Sequence, residues 1–383
     1  MTHWRCGTLS RHPLGSLATE VMQAALDAVQ PRALTRAWAR QHLDDTPRIR
    51  VLSMGKAAAA MTQGLLDVVD DQVLSGTAVV KHTAELGRIR VCLGDHPVPG
   101  EQSLEAGAAM LEAAAMAEPG DTVIALVSGG SSALLEAPVA GISLADITAM
   151  TEARLRDGTP IEALNRARRR GSRIKGGGLA RAIPKGVTVH VVVLSDVLDA
   201  NPHIVGSGPF DDARVQSHLL ADNARAVEAA ASAARALGAE VEVTLPMRRE
   251  ARVEGARWAQ KRMMAPPTDA VRCTLAGAET VVTVRGDGQG GRNQEFALSA
   301  APALMSNPHA LLVSLATDGE DGSTDAAGAA VDGTTVLRAL ERGLDPDDHL
   351  RRNDSYAVFD ALDDLLRPGP TGTNVCDLAL AFS

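Results

Sequence analysis

Short strand-like runs alternate with alanine-rich helical stretches as far as Thr244, and this alternation constrains the fold more than any other feature of the chain. Six runs rich in β-branched and other apolar residues are typical of buried strands: Arg48–Met54, Thr77–Lys81, Ile89–Leu93, Thr122–Ser128, Val187–Ser195 and Glu240–Thr244. Four intervening stretches have helical composition: Leu17–Ala28, Ala57–Val69, Ser103–Ala117 and Asn223–Leu237. The pattern predicts βαβ units and a mainly parallel sheet with helices on both faces.

Aromatic residues are scarce and glycines are abundant, which limits how the core is built. The 383 residues include three Trp, one Tyr and four Phe against 35 Gly. Ala, Val and Leu must therefore form the core, and glycine allows close backbone approach in turns and ligand loops. This composition again favours layered α/β packing.

The character of the sequence changes between residues 240 and 270. Beyond this point we predict a helix at Met247–Met264, a linker at Ala265–Asp269 and strands at Glu279–Arg285 and Ala310–Ala316. The length suits two domains. We predict an N-terminal α/β domain over residues 1–245, a helix and linker over 246–270, and a C-terminal α/β domain over 271–383 whose tail can return to the first domain.

Charge, hydropathy and cysteine spacing exclude several classes of protein. A formal net charge of −9 argues against a general nucleic-acid binder. No apolar run reaches the length of a membrane helix, and the first residues lack the apolar stretch of a secretory signal. The four cysteines are far apart, which argues against a disulfide framework or a zinc knuckle. We therefore expect a cytoplasmic protein that binds neither nucleic acid nor membrane.

A small-residue loop follows the predicted strand Thr122–Ser128 and precedes a helix. Such a loop presents backbone N–H groups and a positive helix end to an anion, although a tight turn explains it as well. The loop comprises Ser128, Gly129, Gly130, Ser131 and Ser132. Lys56 opens an alanine-rich helix after another predicted strand, where a cation opposes the helix dipole. This placement indicates a functional lysine, with a surface lysine as the alternative.

Gly286–Gly291 matches the G-x-G-x-x-G fingerprint of dinucleotide-binding folds after a predicted strand. The fingerprint also needs an acidic residue about 20 residues further on, and Asp318, the nearest candidate at a strand end, lies too far along the chain. A G-x-x-x-x-G-K-[ST] phosphate loop is absent from the sequence. The match is therefore weak, but it keeps a nicotinamide-dependent reductase among the alternatives.

Three other segments offer polar groups to a ligand. Thr317–Asp325 carries four carboxylates, which suit Mg²⁺, sugar hydroxyls or a solvated turn. Gly369–Asn374 offers backbone donors and hydroxyls. The basic run Arg166–Lys175 is by default a solvated helix face, but three glycines follow Lys175 and make ammonium and backbone available together to a phosphate.

Taken jointly, these segments resemble the MOFRL-type (class II) glycerate 2-kinases, a family also labelled hydroxypyruvate reductase. The number and order of the matching segments argue against chance agreement. They are Gly55–Ala57, Gly94–Pro99, Ser128–Leu134, Ile174–Gly177, Leu194–Val197, Ser207–Pro209, Gly290–Glu295, Thr317–Gly319, Thr324–Gly328, Pro370–Asn374 and Asp377-Leu378.

The resemblance implies transfer of the γ-phosphoryl group of ATP to the 2-hydroxyl of D-glycerate, giving 2-phosphoglycerate, with Mg²⁺ or another divalent cation. It also implies a Rossmann-like, mainly parallel N-terminal domain, a smaller α/β MOFRL-type C-terminal domain and an active site in the cleft. Lys56 and Arg292 match the family's catalytic cations. Fixed cations and backbone donors suit the charge that a phosphoryl-transfer transition state spreads over its oxygens.

Further roles are hypotheses built on this resemblance. The loop Ser128–Ser132 and Lys175 would hold phosphates. Asp196 and Asp318, each at a predicted strand end, are candidates for binding the metal or accepting the hydroxyl proton. The remaining candidates, for orienting Arg292 or binding nucleotide and substrate, are Asn293, Glu295, Thr371 and Asn374.

This chain departs from the family pattern at Ser131, where Gly is usual, at Arg170, where His is common, and at Cys376, where Asn is usual. These departures do not affect the predicted reaction class, but they weaken the prediction of which acceptor is phosphorylated. The alternatives are a kinase of a related sugar acid, an NAD(P)H-dependent hydroxypyruvate reductase and a non-catalytic binding module. The expected partners are ATP and a sugar acid, and a homodimer is compatible with the sequence.

Overall fold

The structure, a computed structural model, describes residues 4–44, 46–156, 169–198, 201–263, 270–305 and 307–383. The chain forms two compact units, each built around one six-stranded sheet. The first-sheet unit comprises Gln30–Asp222 and Gly372–Val375. The second-sheet unit comprises Met1–Val29, Asn223–Thr371 and Cys376–Ser383.

The sheet of the first-sheet unit is entirely parallel, with strand order β3-β2-β1-β4-β5-β6. Its strands are β1 (Ile49–Met54), β2 (Val73–Val80), β3 (Arg90–Leu93), β4 (Thr122–Ser128), β5 (Thr188–Leu194) and β6 (Gln216–Ala221). This is the order of the Rossmann fold, in which ligands bind beyond the carboxyl ends of the strands where the order reverses. That switch point lies between β1 and β4. The predicted Rossmann-like parallel sheet is confirmed.

The sheet of the second-sheet unit is mixed, with strand order β11-β10-β9-β12-β8-β7. Its strands are β7 (Glu240–Val243), β8 (Arg272–Ala278), β9 (Leu311–Ala316), β10 (Gly328–Asp332), β11 (Leu365–Leu366) and β12 (Asp377–Phe382). The last strand, β12, lies between β8 and β9 and is antiparallel to both. Every residue of β9 and β12 is buried. Both strands are accordingly apolar except at Ser314 and Asp377.

Helices cover the sheets of both units. Those of the first-sheet unit are α3 (Pro31–His42), α4 (Ala58–Val69), α5 (Glu101–Ala115), α6 (Ser131–Leu134), α7 (Leu144–Arg156) and α8 (Gly178–Ala182). Those of the second-sheet unit are α1 (Gly7–Arg11), α2 (Gly15–Asp27), α9 (Asn223–Ala236), α10 (Ala251–Met263), α11 (Arg292–Leu304), α12 (Thr335–Glu341), α13 (Pro346–Arg351) and α14 (Ser355–Leu362). Short 3₁₀ turns lie at Asp70–Gln72 and Val205–Ser207. Among the described residues, every helix is too short or too polar to span a bilayer.

Small aliphatic side chains fill the cores, as the composition indicates. In the first-sheet unit, Leu52, Ala125, Val127 and Val191 pack together with helix residues such as Met110. In the second core, Trp258 of α10 contacts Phe296 of α11 with ring centroids 6.0 Å apart, and Phe359 joins the same cluster.

One local prediction is wrong. Glu279–Arg285 was expected to be a strand, but the strand is β8, and the following residues form only an isolated bridge from Val281 to Glu250. The physical reason is the partner strand: β12 begins at Asp377, which pairs with Ala278, so the ladder ends there.

The units also differ from the predicted boundaries at residues 1–245, 246–270 and 271–383. Residues 1–29 and 223–245 belong to the second-sheet unit, because α9 packs on α2 and β7 pairs in parallel with β8. The tail contributes to both units, with Gly372–Val375 in the first-sheet unit and β12 in the other. The predicted linker Ala265–Asp269 lies outside the described residues.

Candidate active site

Lys56 and the glycine loop meet at the switch point of the parallel sheet. β1 and β4 are in register up to the pair Met54 and Val127, so the segments that follow them start side by side. The backbone N–H of Lys56 donates to the carbonyl of Gly129 at 2.8 Å. The side chain of Lys56 crosses Gly130, with Cγ 3.0 Å from the position that a Cβ would take there. The structure thus brings together two of the predicted elements.

Asp196 and Asn374 lie against the same loop. Asp196 follows β5, whose last residue Leu194 pairs with Ser128. Its Oδ2 is 2.0 Å from the position that a Cβ would occupy on Gly129, and Nδ2 of Asn374 is 2.5 Å from that position. Only glycine lets a carboxylate and an amide approach the loop so closely. A cation, a carboxylate, an amide and a glycine backbone therefore share one site.

The serines of the loop turn their hydroxyls inward. Ser128 is fully buried, and its Oγ accepts from the Ala57 N–H at 3.0 Å. Ser132 Oγ lies 2.8 Å from Ser207 Oγ. Ser131 is 1% exposed, and its Oγ has no hydrogen-bond partner among the described residues. The loop thus offers a ligand its backbone rather than the hydroxyls of Ser128 and Ser131.

Lys175 occupies a different place from the predicted phosphate contact. Its side chain is 1% exposed, and its ammonium forms an ion pair with the equally buried Glu136. Glu136 also accepts from the Ala137 N–H at 3.0 Å. A buried charge must be paired, because desolvation is costly. We therefore assign Lys175 to the core of the first-sheet unit. Arg170, one of the three departures from the family pattern, is exposed.

Arg292 is the first residue of α11, and Asp377 holds its guanidinium. Arg292 Nη2 donates to Asp377 Oδ1 at 2.9 Å, and Arg292 Nε lies 2.5 Å from Asp377 Oδ2. The arginine side chain is 35% exposed, whereas the aspartate is 1% exposed. Burial lowers the pKa of Arg292, but the charge of Asp377 outweighs it and raises the pKa overall. Arg292 therefore stays a cation at any working pH.

Further carboxylates lie at the edge of the second sheet where β8 and β9 end. Asp377 pairs with the last residue of each of these strands. Glu279 follows β8 and adds negative charge near Arg292. Asp318 follows β9, and its Oδ1 accepts from the Glu320 N–H at 3.1 Å. Burial raises the pKa of Asp377, the charge of Arg292 lowers it, and Asp318 raises it again.

Asn293 and Glu295, which we predicted to orient Arg292 or bind substrate, are both buried in the second-sheet unit, and Asn293 also hydrogen-bonds the carboxylate of Asp377, the partner of Arg292. Both are 2% exposed. Asn293 Nδ2 donates to Asp321 at 3.2 Å, and its Oδ1 accepts from Ser314 Oγ at 2.7 Å. Glu295 Oε1 lies 2.6 Å from Nη2 of Arg252, and burial raises the pKa of Glu295.

Thr371 also uses its hydroxyl within the protein. Its Oγ1 donates to the carbonyl of Thr317 at 2.5 Å, and its N–H donates to the carbonyl of Asp318 at 3.2 Å. Thr371 thus ties the loop after β9 to the loop before β12. Asp377 is the site residue that carried no role in the sequence prediction, although a carboxylate that opens an otherwise apolar strand is a detectable signal.

The G-x-G-x-x-G segment does not form a dinucleotide loop. It follows irregular chain rather than a strand. A Cβ on Gly286 would lie 2.3 Å from the carbonyl oxygen of Arg352, and one on Gly288 would lie 2.3 Å from Cβ of Asp354. These glycines are needed for close packing within the second-sheet unit, which explains the motif without a pyrophosphate.

The described part of the chain holds no group of three or more His, Cys, Asp or Glu side chains placed to bind a metal ion. Asp196 belongs to the first-sheet unit and Asp318 to the second-sheet unit. Mg²⁺ commonly binds one or two carboxylates and completes its shell with water and substrate phosphates. The carboxylates therefore fit a metal that enters with a nucleotide.

Comparisons with known proteins identify the family of this chain. Residues 17–243 match the family model described as domain of unknown function DUF4147, and residues 272–377 match the MOFRL family. The chain is 35% identical to D-glycerate 2-kinase of Thermotoga maritima, over 96% of this chain and 98% of the relative. It is 37% identical to a putative hydroxypyruvate reductase of Agrobacterium vitis, over 86% and 98%.

A solved structure shows the same fold. The crystal structure of glycerate kinase from Thermotoga maritima aligns with a TM-score of 0.82 and 32% identity, covering 96% of this chain and 98% of that one. The resemblance stated from the sequence is confirmed. The chain belongs to the MOFRL-type glycerate 2-kinase family, with a DUF4147 domain followed by a MOFRL domain.

Proposed function

We propose that this chain transfers the γ-phosphoryl group of ATP to the 2-hydroxyl of D-glycerate, giving 2-phosphoglycerate and ADP. The observation that carries the proposal is the meeting of Lys56, Gly129 and Asp196 at the switch point of the parallel sheet. The Thermotoga maritima relative, which aligns over nearly the full length of both chains, is named D-glycerate 2-kinase. That name is the reason for proposing D-glycerate as the phosphoryl acceptor.

Lys56 and the glycine loop bind the phosphates in this proposal. The bond between the Lys56 N–H and Gly129 keeps the lysine at the loop, and its ammonium neutralises charge on the transferred group. Phosphoryl transfer depends mainly on positioning and on fixed charges, because the transition state spreads negative charge over peripheral oxygens. Asn374 offers an amide donor at the same place.

Arg292 and Asp318 act on the acceptor. The guanidinium binds the carboxylate of D-glycerate, and Asp318 accepts the proton of the 2-hydroxyl as its oxygen attacks the γ-phosphorus. The bond between that phosphorus and the bridging oxygen breaks, and ADP leaves. The half-buried carboxylate of Asp318 lies close enough to Asp377, the partner of Arg292, for their charges to interact.

Asp196 takes the metal-binding role because it lies on the phosphate loop, whereas Asp318 lies in the unit of Arg292. Asp196 would hold Mg²⁺, which would supply charge neutralisation at the phosphates of ATP. A single carboxylate suits this purpose, since the phosphates provide the other oxygens.

An assay of both candidate reactions tests the proposal. Purified protein is incubated with D-glycerate, MgATP and a coupled detector of ADP, and in parallel with hydroxypyruvate and NADH or NADPH. We expect ADP and 2-phosphoglycerate in the first mixture and no nicotinamide oxidation in the second. Nicotinamide oxidation without ADP release would overturn the proposal, and ADP release with only a different sugar acid would correct the acceptor.

The two aspartates are separated by Asp196→Asn and Asp318→Asn. We expect Asp196→Asn to raise the Mg²⁺ concentration for half-maximal rate by about tenfold or more, because a metal ligand is lost. Asp318→Asn should lower kcat by about 10²–10⁴-fold without changing the Mg²⁺ requirement, because a general base is lost. Steady-state kinetics over a range of Mg²⁺ concentrations check both, with Asp325→Asn as a matched control on the same acidic loop. If Asp318→Asn instead raised the Mg²⁺ requirement and Asp196→Asn lowered kcat, the metal-binding and proton-accepting roles would have to be exchanged.

A further inference from the structure

We infer that Asp377 is a positioning residue: it fixes the plane of the Arg292 guanidinium so that one edge of that group remains for an oxyanion. The inference rests on the proposed function, in which Arg292 binds the acceptor. It is drawn from the contact between the two side chains and from the way the sheet holds Asp377.

The contact uses a particular edge of the guanidinium. Asp377 meets Nε and Nη2, at 2.5 and 2.9 Å, which is the side-on edge. A guanidinium has five N–H donors in a rigid planar fork. With the side-on edge occupied, the end-on edge of Nη1 and Nη2 remains, and its two parallel N–H groups match the two oxygens of a carboxylate or phosphoryl group.

Asp377 itself has little freedom to move. It opens β12, where its neighbours across the ladder are Ala278 and Ala316, the last residues of two flanking strands. Its carbonyl oxygen accepts from Asn223 Nδ2 at 2.9 Å. Its carboxylate is also hydrogen-bonded by Asn293. A carboxylate anchored at backbone and side chain can transmit its orientation to an arginine that is itself 35% exposed.

The charges around the Arg292–Asp377 pair argue that the pair does not serve mainly to stabilise the fold. Asp377 is 1% exposed, and the neighbouring carboxylates Asp318 and Asp321 lie within electrostatic range of it. Placing a buried carboxylate among others is costly, and buried ion pairs often add little net stability. A fixed guanidinium, in contrast, is what a bidentate anion site requires.

Chemical rescue distinguishes positioning from a purely structural role. We expect Asp377→Asn to lower kcat by about 10–100-fold, since outer partners of a functional group typically matter by this factor. In Arg292→Ala, added guanidinium ion should restore activity at least about tenfold, because Asp377 still presents a site for it. In the double variant Arg292→Ala with Asp377→Asn, the same concentration of guanidinium should restore nothing.

A matched control is the buried pair of Asp364 and Arg338 in the same unit, whose atoms Oδ2 and Nη2 are 2.8 Å apart. Asp364→Asn should lower the melting temperature without changing kcat or the guanidinium response of Arg292→Ala. Equal rescue with and without Asp377 would overturn the inference. An Asp364→Asn effect on rescue as large as that of Asp377→Asn would overturn it too.

Arginine side-chain NMR gives a readout that needs neither catalysis nor a folded Asp377 variant. In the wild-type chain, the Nε–H of Arg292, identified by its loss in Arg292→Lys, should exchange with solvent at least about tenfold more slowly than that of the exposed Arg351. Fast exchange would contradict the inference. Absence of D-glycerate phosphorylation by the wild type would instead refute the proposed function and leave this measurement standing.

Discussion

At the scale of single residues, Cys376 shows what a departure from the family pattern costs. Its φ is +66°, in the left-handed region. Glycine adopts this region freely, but L-residues other than Asn and Asp rarely do, because Cβ crowds the carbonyl oxygen. Asn, the usual residue in the family, suits this backbone. The backbone conformation at residue 376 therefore gives a physical reason why Asn is usual at this position.

We expect Cys376→Asn to stabilise the protein by about 0.5–1 kcal/mol, because the left-handed conformation is more accessible to Asn. Urea denaturation measures the difference. Cys376→Ser is the matched control: it keeps a small polar side chain without the preference for this region and should gain nothing. Equal effects of both substitutions would show that the thiol, which lies 3.9 Å from Glu279 Oε2, matters instead of the backbone.

Lys56 was proposed from its position after a strand and Arg292 from the family resemblance, but neither kind of argument could predict which side chains are buried. Lys56 and Lys175 both adjoin glycines, yet only Lys56 lies at the loop after β4, whereas Lys175 is paired with Glu136 inside the unit. The partner of Lys175 is distant in sequence, and nothing local identifies it. The same holds for Asp377, which reaches Arg292 only because β12 lies beside β8 and β9.

At the scale of elements, α11 depends on a carboxylate from another loop. Its N-cap residue is Gly291, which has no side chain to cap the first turn. Instead, the carboxylate of Asp321 accepts hydrogen bonds from the backbone N–H of Asn293 at 3.0 Å and from that of Gln294 at 2.9 Å. Burial raises the pKa of Asp321 from 3.8 to about 6, although these hydrogen bonds oppose the shift.

This pKa predicts a specific pH dependence of stability. A carboxyl whose pKa is raised on folding contributes stability that is fully present below pH 4 and is lost as the pH rises through 6. The contribution is about 3 kcal/mol for a shift of about two units. As the pH is lowered from 7 to 4, we expect the free energy of unfolding of the wild type to increase by about this amount relative to that of Asp321→Asn, because the Asn side chain does not titrate.

Urea denaturation at pH 4, 5, 6 and 7 checks the prediction. Asp325→Asn is the control, because a hydrogen bond from Tyr356 lowers the pKa of Asp325 and its loss therefore changes the pH dependence in the opposite direction. Parallel curves for Asp321→Asn and the wild type would contradict a raised pKa in Asp321.

Element prediction succeeded where pattern and partner agreed. β4 occupies the predicted residues, and the runs that became β1 and β5 differ only at their ends, since a fully buried parallel strand is a continuous apolar run. Val281 shows the limit. Its segment, Glu279–Arg285, is predicted as a strand, but β12 begins opposite Ala278, so Val281 forms only an isolated bridge to Glu250. Periodicity describes a segment, whereas a strand also needs a neighbour.

At the scale of the whole molecule, the sequence predicted two α/β units but not which segments build them. Chain order suggested that the first helix belongs with the first sheet. In the structure α2 packs on α9 in the second-sheet unit, and the backbone N–H of Thr8 donates to Asp364 at 3.0 Å. Contacts across more than 300 residues of sequence leave no local signal, so boundaries drawn from composition group these segments differently.

A matched pair of methionine substitutions tests this division. Met22 of α2 and Met61 of α4 are both fully buried, and each to-Ala change should cost about 2–5 kcal/mol through lost contacts and a cavity. Hydrogen exchange followed by mass spectrometry should show Met22→Ala loosening α9, β7 and β8, and Met61→Ala loosening β1 and β2. If Met22→Ala instead loosened β1 and β2 as Met61→Ala does, the first 29 residues would belong with the first sheet after all.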